Sequence, residues 1–212
     1  DIDGGFALVD ILTSLDRIGS HCSNIGLHIA KKLTTDSFDE MHGHIYTNGY
    51  KTSEEYKALW HMTVDILRED GVNNALYAYS PGSEPQDTVQ YLKRYPGDDL
   101  VDVIGFDTYQ FDRDSYIANL EKSLTIIDSI GKAHNKVIAI TETGYEGIPD
   151  SKWWTGTLLP AIEKYPIAYV LVWRNARERV THFYAPYPGQ ISADDFVEFY
   201  KHPKTLFAAD VN

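Results

Sequence analysis

Residues Lys136 to Gly144 read KVIAITETG, an apolar and largely β-branched run that ends in a carboxylate. Its apolar part, VIAI, shows no alternation with polar residues, which is typical of a parallel strand buried on both faces. In parallel α/β folds, chemistry collects at the carboxyl ends of the strands. Glu142, between two threonines at that end, is therefore a candidate catalytic residue.

Similar apolar runs recur at intervals of roughly 25 to 35 residues, the spacing of βα units. We predict strands at 75–80, 101–107, 136–143 and 169–175, with helices at 52–69, 114–134, 153–165 and 194–200. A helix at 11–18 and a strand at 26–30 are also predicted. This alternation favours a parallel sheet with right-handed crossovers, and strand ends that carry functional side chains favour a (β/α)8 barrel of the TIM type.

The length of the chain limits how much of a barrel it can form. A complete eight-unit barrel takes about 250 residues, and no linker divides the 212 residues of this chain. We therefore predict a single domain over residues 1–212 that lacks the first βα units of a barrel.

The composition disfavours several classes of binding partner and cofactor. The formal net charge of -12 argues against nucleic acids and anionic membrane surfaces, both of which attract Lys and Arg clusters. One cysteine, Cys22, and the absence of the motifs GxxxxGK[ST] and GxGxxG leave no basis for a metal or a nucleotide cofactor, so we expect neither. No run approaches the roughly 20 apolar residues of a membrane span.

Glu142 needs a second carboxyl group if it acts on a glycosidic bond, because such enzymes use a pair of carboxyl groups. The best candidate is Glu40, in the segment FDEMHGHIYTNG. A surface loop carboxylate is the alternative for Glu40, and a capping or ion-paired residue is the alternative for Glu142. An esterase is disfavoured, since Ser80 lacks the GxSxG context.

Other side chains near strand ends have two interpretations each. Asp107 either faces the substrate cleft or caps the next turn, and Asn175 either binds sugar hydroxyls or supports the structure. Trp153 is either a core residue or part of the cleft rim. The aromatic segment 184–189 (YAPYPG) follows the last strand, where barrel loops bind ligands.

At larger scale the chain resembles glycoside hydrolase family 26, a family dominated by β-mannanases. The resemblance rests on ordered segments that include VDVIGFDTYQF, ITETGYEG, WWTGTLLPAIE, YVLVWRNA and HFYAPYPGQISADDFVEFYKHPKTLF, and it extends over about residues 38–210. It implies a (β/α)8 barrel that hydrolyses internal β-1,4-mannan bonds with retention of configuration.

The resemblance also implies roles for individual residues. Glu142, in ITETG, corresponds to the nucleophile, and Tyr109, in GFDTYQ, to a tyrosine that donates a hydrogen bond to it. Trp173, in VLVWRNA, corresponds to the aromatic platform beneath the sugar. Glu40 corresponds to the acid/base.

The sequence around Glu40 departs from the family pattern, which is close to HEMxGxWFWWG. Here the segment reads DEMHGHIYTNG, so Asp39 replaces the histidine and residues 45–48 (IYTN) replace the tryptophan cluster. A neighbouring aspartate raises the pKa of a glutamic acid, whereas lost indoles reduce its apolar screening.

These observations predict a glycoside hydrolase that acts on a polysaccharide or oligosaccharide outside the cytoplasm, as a monomer if the barrel is complete. Two alternatives stay open: a catalytically impaired remnant that only binds carbohydrate, and a truncated fragment of such a barrel.

Overall fold

In the part of the chain that the structure describes, four parallel strands form one sheet, and neighbours in sequence are also neighbours in space. The structure is a computed structural model, and it describes residues 52–83 and 85–210. The strands are β1 (Ala78–Tyr79), β2 (Val103–Tyr109), β3 (Val137–Gly144) and β4 (Ile167–Val172), in the order β1-β2-β3-β4. Sequential order of parallel strands is the arrangement of a (β/α) barrel wall.

Helices separate the strands along the chain. They are α1 (Ser53–Glu69), α2 (Thr88–Leu92), α3 (Arg113–His134), α4 (Leu159–Ile162) and α5 (Ala193–Tyr200). A π-helical turn, Trp154–Leu158, precedes α4, and short 3₁₀ turns span Asp98–Leu100 and Ala208–Asp210. None of the helices in the described ranges is long and apolar enough to cross a membrane.

Local sequence explains where the long helices begin and end. Thr52 and Glu55 form a capping box at the start of α1, each side chain accepting from the other's peptide N–H. The carboxylate of Asp112 accepts from the N–H of Ser115 at the start of α3. Asn135 ends α3 in the left-handed conformation, with φ 53°.

The core lies between α3 and the sheet. The buried leucines and isoleucines of α3 pack on the central strands, where they meet Ile104 of β2 and Ile138 and Ile140 of β3. Burial of this apolar surface is the main stabilising contribution at about 25 cal/mol per Å². A second aromatic layer joins Trp154 to Phe196 and Phe199 of α5, with ring centroids 4.7 and 5.7 Å apart.

The predicted helix at 153–165 is not a regular α-helix in the structure. The structure has a π-helical turn there, followed by only four α-helical residues, one of which is Pro160. Asp195 of α5, 1% exposed, accepts from the N–H groups of Trp154 and Thr155 at 3.0 Å. A tertiary contact thus satisfies the N–H groups at the start of this turn.

The strand predictions hold with shifted bounds. The first strand is limited to two residues, and the last ends at Val172, so that Trp173 and Asn175 follow the strand and do not belong to it. The predicted helix at 11–18 and strand at 26–30 lie outside the described residues.

Candidate active site

A β-bulge in β3 directs two consecutive side chains to the same face of the sheet. Phe106 pairs with Ile140 and the next residue, Asp107, pairs with Glu142, so β3 carries one extra residue, Thr141. Thr141 and Glu142 both contact side chains of β2, whereas the hydroxyl of Thr143 lies 2.7 Å from that of Tyr116 on the helix side. Such bulges re-aim side chains, often beside functional sites.

Glu142 is held by a tyrosine of the neighbouring strand. The hydroxyl of Tyr109 donates to Oε2 of Glu142 at 2.7 Å. This is the hydrogen bond that the family resemblance implies. Burial, followed by the hydrogen bond to Glu142, raises the pKa of Tyr109, so the phenol remains a donor at neutral pH.

Three effects act on the carboxyl group of Glu142. Burial raises its pKa, the hydrogen bond from Tyr109 lowers it, and the charge of Asp107 raises it. The net result is a pKa above the ordinary value of a glutamate. Tyr109 therefore opposes two neighbouring influences that favour the protonated form.

Asp107 lies beside Glu142 at the end of β2 and is half-buried. Its Oδ1 accepts hydrogen bonds from the hydroxyls of Ser80 at 2.6 Å and Thr141 at 2.8 Å. The oxygens of these two hydroxyls also lie against each other. Because each hydroxyl has one proton and donates it to Asp107, neither donates to the other. Asp107 thus joins the carboxyl ends of β1, β2 and β3 and does not serve as a cap for the next helix, since Asp112 has that role.

Trp173 lies beside the same group of residues. Its peptide N–H donates to the carbonyl oxygen of Thr143 at 3.0 Å, which continues the pairing of β3 with β4 by one residue. The side chain is partly exposed. Part of the Trp173 side chain is therefore accessible just beyond the end of β4.

Of the two interpretations of Trp153, the structure agrees with the core residue and not with a substrate contact at the cleft rim. Trp153 is 0% exposed, and its indole N–H donates to Oε1 of Gln110 at 2.8 Å. Its ring packs edge-on against Trp154, with centroids 4.8 Å apart. Trp153 is a core residue, because a fully enclosed ring leaves no face for a sugar.

Asn175 holds the segment that follows β4. Its Oδ1 accepts from the peptide N–H groups of Tyr184 and Ala185, and its Nδ2 donates to the carbonyl of Ala185, all at 2.9 Å. The structural alternative for this side chain is therefore the one observed. Glu40 lies outside the described residues.

Comparison with known proteins decides the family. The sequence profile of the family described as "Glycosyl hydrolase family 26" matches residues 33–186. The chain belongs to glycosyl hydrolase family 26. The fold agrees: a solved GH26 β-mannanase from Bacteroides ovatus is 64% identical, with a TM-score of 0.75, over 77% of this chain and 47% of that one.

Two further proteins are similar to this chain. A mannan endo-1,4-β-mannosidase of Bifidobacterium adolescentis is 31% identical over 183 residues, which cover 77% of this chain and 18% of that protein. An endo-β-1,4-mannanase from Cellulomonas fimi is 34% identical with a TM-score of 0.69, over 78% of this chain and 39% of that one. The chain thus spans less than half the length of these relatives, and its parallel sheet and helices are part of a (β/α) barrel.

Sequence reasoning missed three features of this family 26 site: the hydroxyls around Asp107, the bulge at Thr141, and the contact of Tyr184 with Tyr109. A Ser80 or Thr141 hydroxyl carries no local signal of a carboxylate partner that is distant in sequence. The aromatic segment 184–189 did signal a position near the site, but not which ring turns inward.

Proposed function

We propose that this chain hydrolyses internal β-1,4 bonds of mannan with retention of anomeric configuration. The observation that carries the proposal is the carboxylate of Glu142 at the end of β3, hydrogen-bonded to Tyr109, in a chain of glycosyl hydrolase family 26. The names of its relatives supply the polysaccharide, since two of them are β-1,4-mannan-cleaving enzymes.

In the proposed reaction Glu142 is the nucleophile. Its carboxylate oxygen attacks the anomeric carbon, and the bond from that carbon to the leaving-group oxygen breaks. Glu40 transfers its proton to the leaving oxygen. In the second step Glu40 takes a proton from water, whose oxygen displaces Glu142 and regenerates both carboxyl groups.

Tyr109 supports the nucleophile in two ways. Its hydrogen bond favours the ionised form of Glu142 against the influence of burial and of Asp107. The bond also fixes one carboxylate oxygen, which leaves the other free to approach the sugar.

Two further side chains complete the proposed sugar site. Trp173 places an indole face under the sugar ring, where the C–H groups of a mannose unit pack on it. Asp107 is proposed to contact substrate as well, from the position in which Ser80 and Thr141 hold its Oδ1. We leave Trp153 out of this site because it is buried.

A covalent trap tests the nucleophile directly. Incubation with a 2-deoxy-2-fluoro mannosyl donor that has an activated leaving group is expected to add one fluorosugar to the peptide that contains Glu142, detected by mass spectrometry. Glu142→Gln should abolish both the adduct and release of reducing sugar from galactomannan. Glu198→Gln, on the exposed side of α5, is the matched control and should retain both. An adduct on another carboxylate would refute the assignment.

The same wild-type and variant proteins can distinguish an active enzyme from a remnant that only binds carbohydrate. Retardation on a galactomannan affinity gel without release of reducing sugar would indicate carbohydrate binding alone. Release of sugar that is unaffected by Glu40→Gln, with a leaving group that requires protonation, would exclude Glu40 as the acid.

We further propose that the protein acts outside the cytoplasm, because a mannan polymer is too large to cross a membrane unaided. Immunodetection in periplasmic or culture fractions of the source cells is the expected result. Detection in the cytoplasmic fraction alone would contradict it.

A further inference from the structure

The segment 182–185 is fixed from two sides, although it lies in a loop. Its first contacts are with residues after β4: Asn175 binds the backbone of Tyr184 and Ala185, and the N–H of Ala176 donates to the carbonyl of His182 at 2.8 Å. The other contact is with the turn after β3, where the N–H of Gly147 donates to the carbonyl of Phe183 at 2.8 Å. The segment therefore has a defined position relative to both strand ends.

This segment places Tyr184 against Tyr109. The two rings meet nearly edge-on, with centroids 5.6 Å apart and an interplanar angle of 69°. Tyr184 is 7% exposed, so its ring is packed and is not part of the outer surface. His182 also packs against the Tyr184 ring, at 5.2 Å and 86°, and the Nδ1 of His182 lies 2.9 Å from Oε1 of Glu146.

Gly144 creates the space for this contact. Gly144 pairs with Tyr109 across β3 and β2, and it has φ +153°. A Cβ at this position would lie 2.4 Å from Cδ1 of Tyr184. Because no real Cβ tolerates that distance, the Tyr184 ring occupies a place that only a glycine at 144 leaves open.

We propose that Tyr184, held in place by Asn175, is a positioning residue that orients the phenol of Tyr109 toward Glu142. The proposal rests on the proposed function. Tyr109 is the last residue of β2, and its ring has support from a side chain of another segment. The edge of Tyr184 supplies that support, and it limits the motion of a hydroxyl that must stay 2.7 Å from Oε2.

Several charged or titratable groups face this pair, and they affect any pH readout. Asp107 lies beside Glu142, and Tyr169 of β4 is near enough to feel the charge of Asp107. Glu146 and Arg179 both act on Tyr184, in opposite directions. None of these groups changes in the variants below, so they contribute equally to each comparison.

Kinetics provide the first test. Tyr184→Leu is expected to lower kcat on galactomannan by roughly 10- to 100-fold with KM nearly unchanged, because a nucleophile misplaced by a fraction of an ångström loses rate before affinity. Tyr184→Phe keeps the ring and should retain activity within about twofold. In a Tyr109→Phe background, Tyr184→Leu should cost less than about threefold, since the bond it supports is already absent.

A second readout does not depend on turnover. The pKa of Glu142, followed by ¹³C NMR of labelled glutamate side chains, should rise on Tyr109→Phe. That rise should be clearly smaller in a Tyr184→Leu background and unchanged in a Tyr184→Phe background. Asn175→Ala, which removes no ring but releases the segment that carries Tyr184, should act like Tyr184→Leu and serves if the latter does not fold.

The outcomes separate the two proposals. Equal losses in Tyr184→Phe and Tyr184→Leu, or a raised KM, would mean that the Tyr184 hydroxyl contacts substrate, which overturns the positioning role. Unchanged coupling in the NMR titration would also overturn it. An inactive wild-type protein with the expected coupling would instead remove the proposed function and leave the contact between Tyr184 and Tyr109 established.

Discussion

The hydroxyl of Tyr109 and the carboxylate of Glu142 are joined by a 2.7 Å hydrogen bond across β2 and β3. The bond exists because the extra residue in β3 brings Glu142 into register with Asp107, two residues before Tyr109 on the same face. The carboxyl group thus lies between a donor that favours its charge and an aspartate that opposes it.

Removal of the donor should shift the pH dependence upward. Tyr109→Phe removes a bond that lowers the pKa of Glu142, so the acid limb of kcat/KM should move to higher pH. At the optimum, kcat/KM should fall roughly 10- to 100-fold, the loss expected for a hydrogen bond to a charged group. Tyr95→Phe is the control, because it removes a hydrogen bond from a tyrosine to a carboxylate, that of Asp98, at the opposite end of the sheet. It should leave the pH dependence of kcat/KM unchanged.

Removal of the neighbouring charge should have the opposite sign. Asp107→Asn retains an oxygen that accepts from Ser80 and Thr141 but removes a charge that raises the pKa of Glu142. The acid limb of kcat/KM should therefore move to lower pH, measured on galactomannan from about pH 3 to 8. Asp102→Asn, whose carboxylate accepts from the N–H of Tyr77 away from the site, is the control; a shift there would point to a general effect of net charge.

A methyl group at position 144 should displace Tyr184. Gly144→Ala combines an unfavourable φ of +153° with a Cβ 2.4 Å from the Tyr184 ring. We expect the free energy of unfolding to fall by about 2 to 4 kcal/mol, measured by chemical denaturation, together with a loss of activity. Gly147→Ala also places a Cβ at a positive φ, +73°, but this Cβ meets nothing within 4 Å. It should lose stability but keep activity.

The two tryptophans at 153 and 173 should respond differently. Trp153→Ala should lower the free energy of unfolding by about 3 to 5 kcal/mol, because it empties a fully buried site and leaves Gln110 without its donor. Trp173→Ala should change stability little and raise KM for galactomannan, because its ring is partly exposed. Similar stability losses in both variants would argue against a sugar platform at Trp173.

Local signals in the sequence located most of the described elements. The capping box at Thr52, the apolar spacing of α3 and the β-branched run of β3 act over a few residues, so they are legible without a structure. The π-helical turn within 153–165 has no such local signal, and the acceptor for the N–H groups of Trp154 and Thr155 is Asp195, 40 positions away in sequence from Thr155.

By itself the sequence determined the strand that carries Glu142, the family to which the chain belongs, and the tyrosine that partners the carboxylate. Only the tertiary structure decided that Thr141 forms a bulge, that Trp153 is enclosed, and that Tyr184 rests on Tyr109. The physical reason is that hydrophobic periodicity and capping depend on neighbours along the chain. Side-chain direction at a bulge, and contact between rings from different loops, depend on packing between segments that the sequence does not bring together.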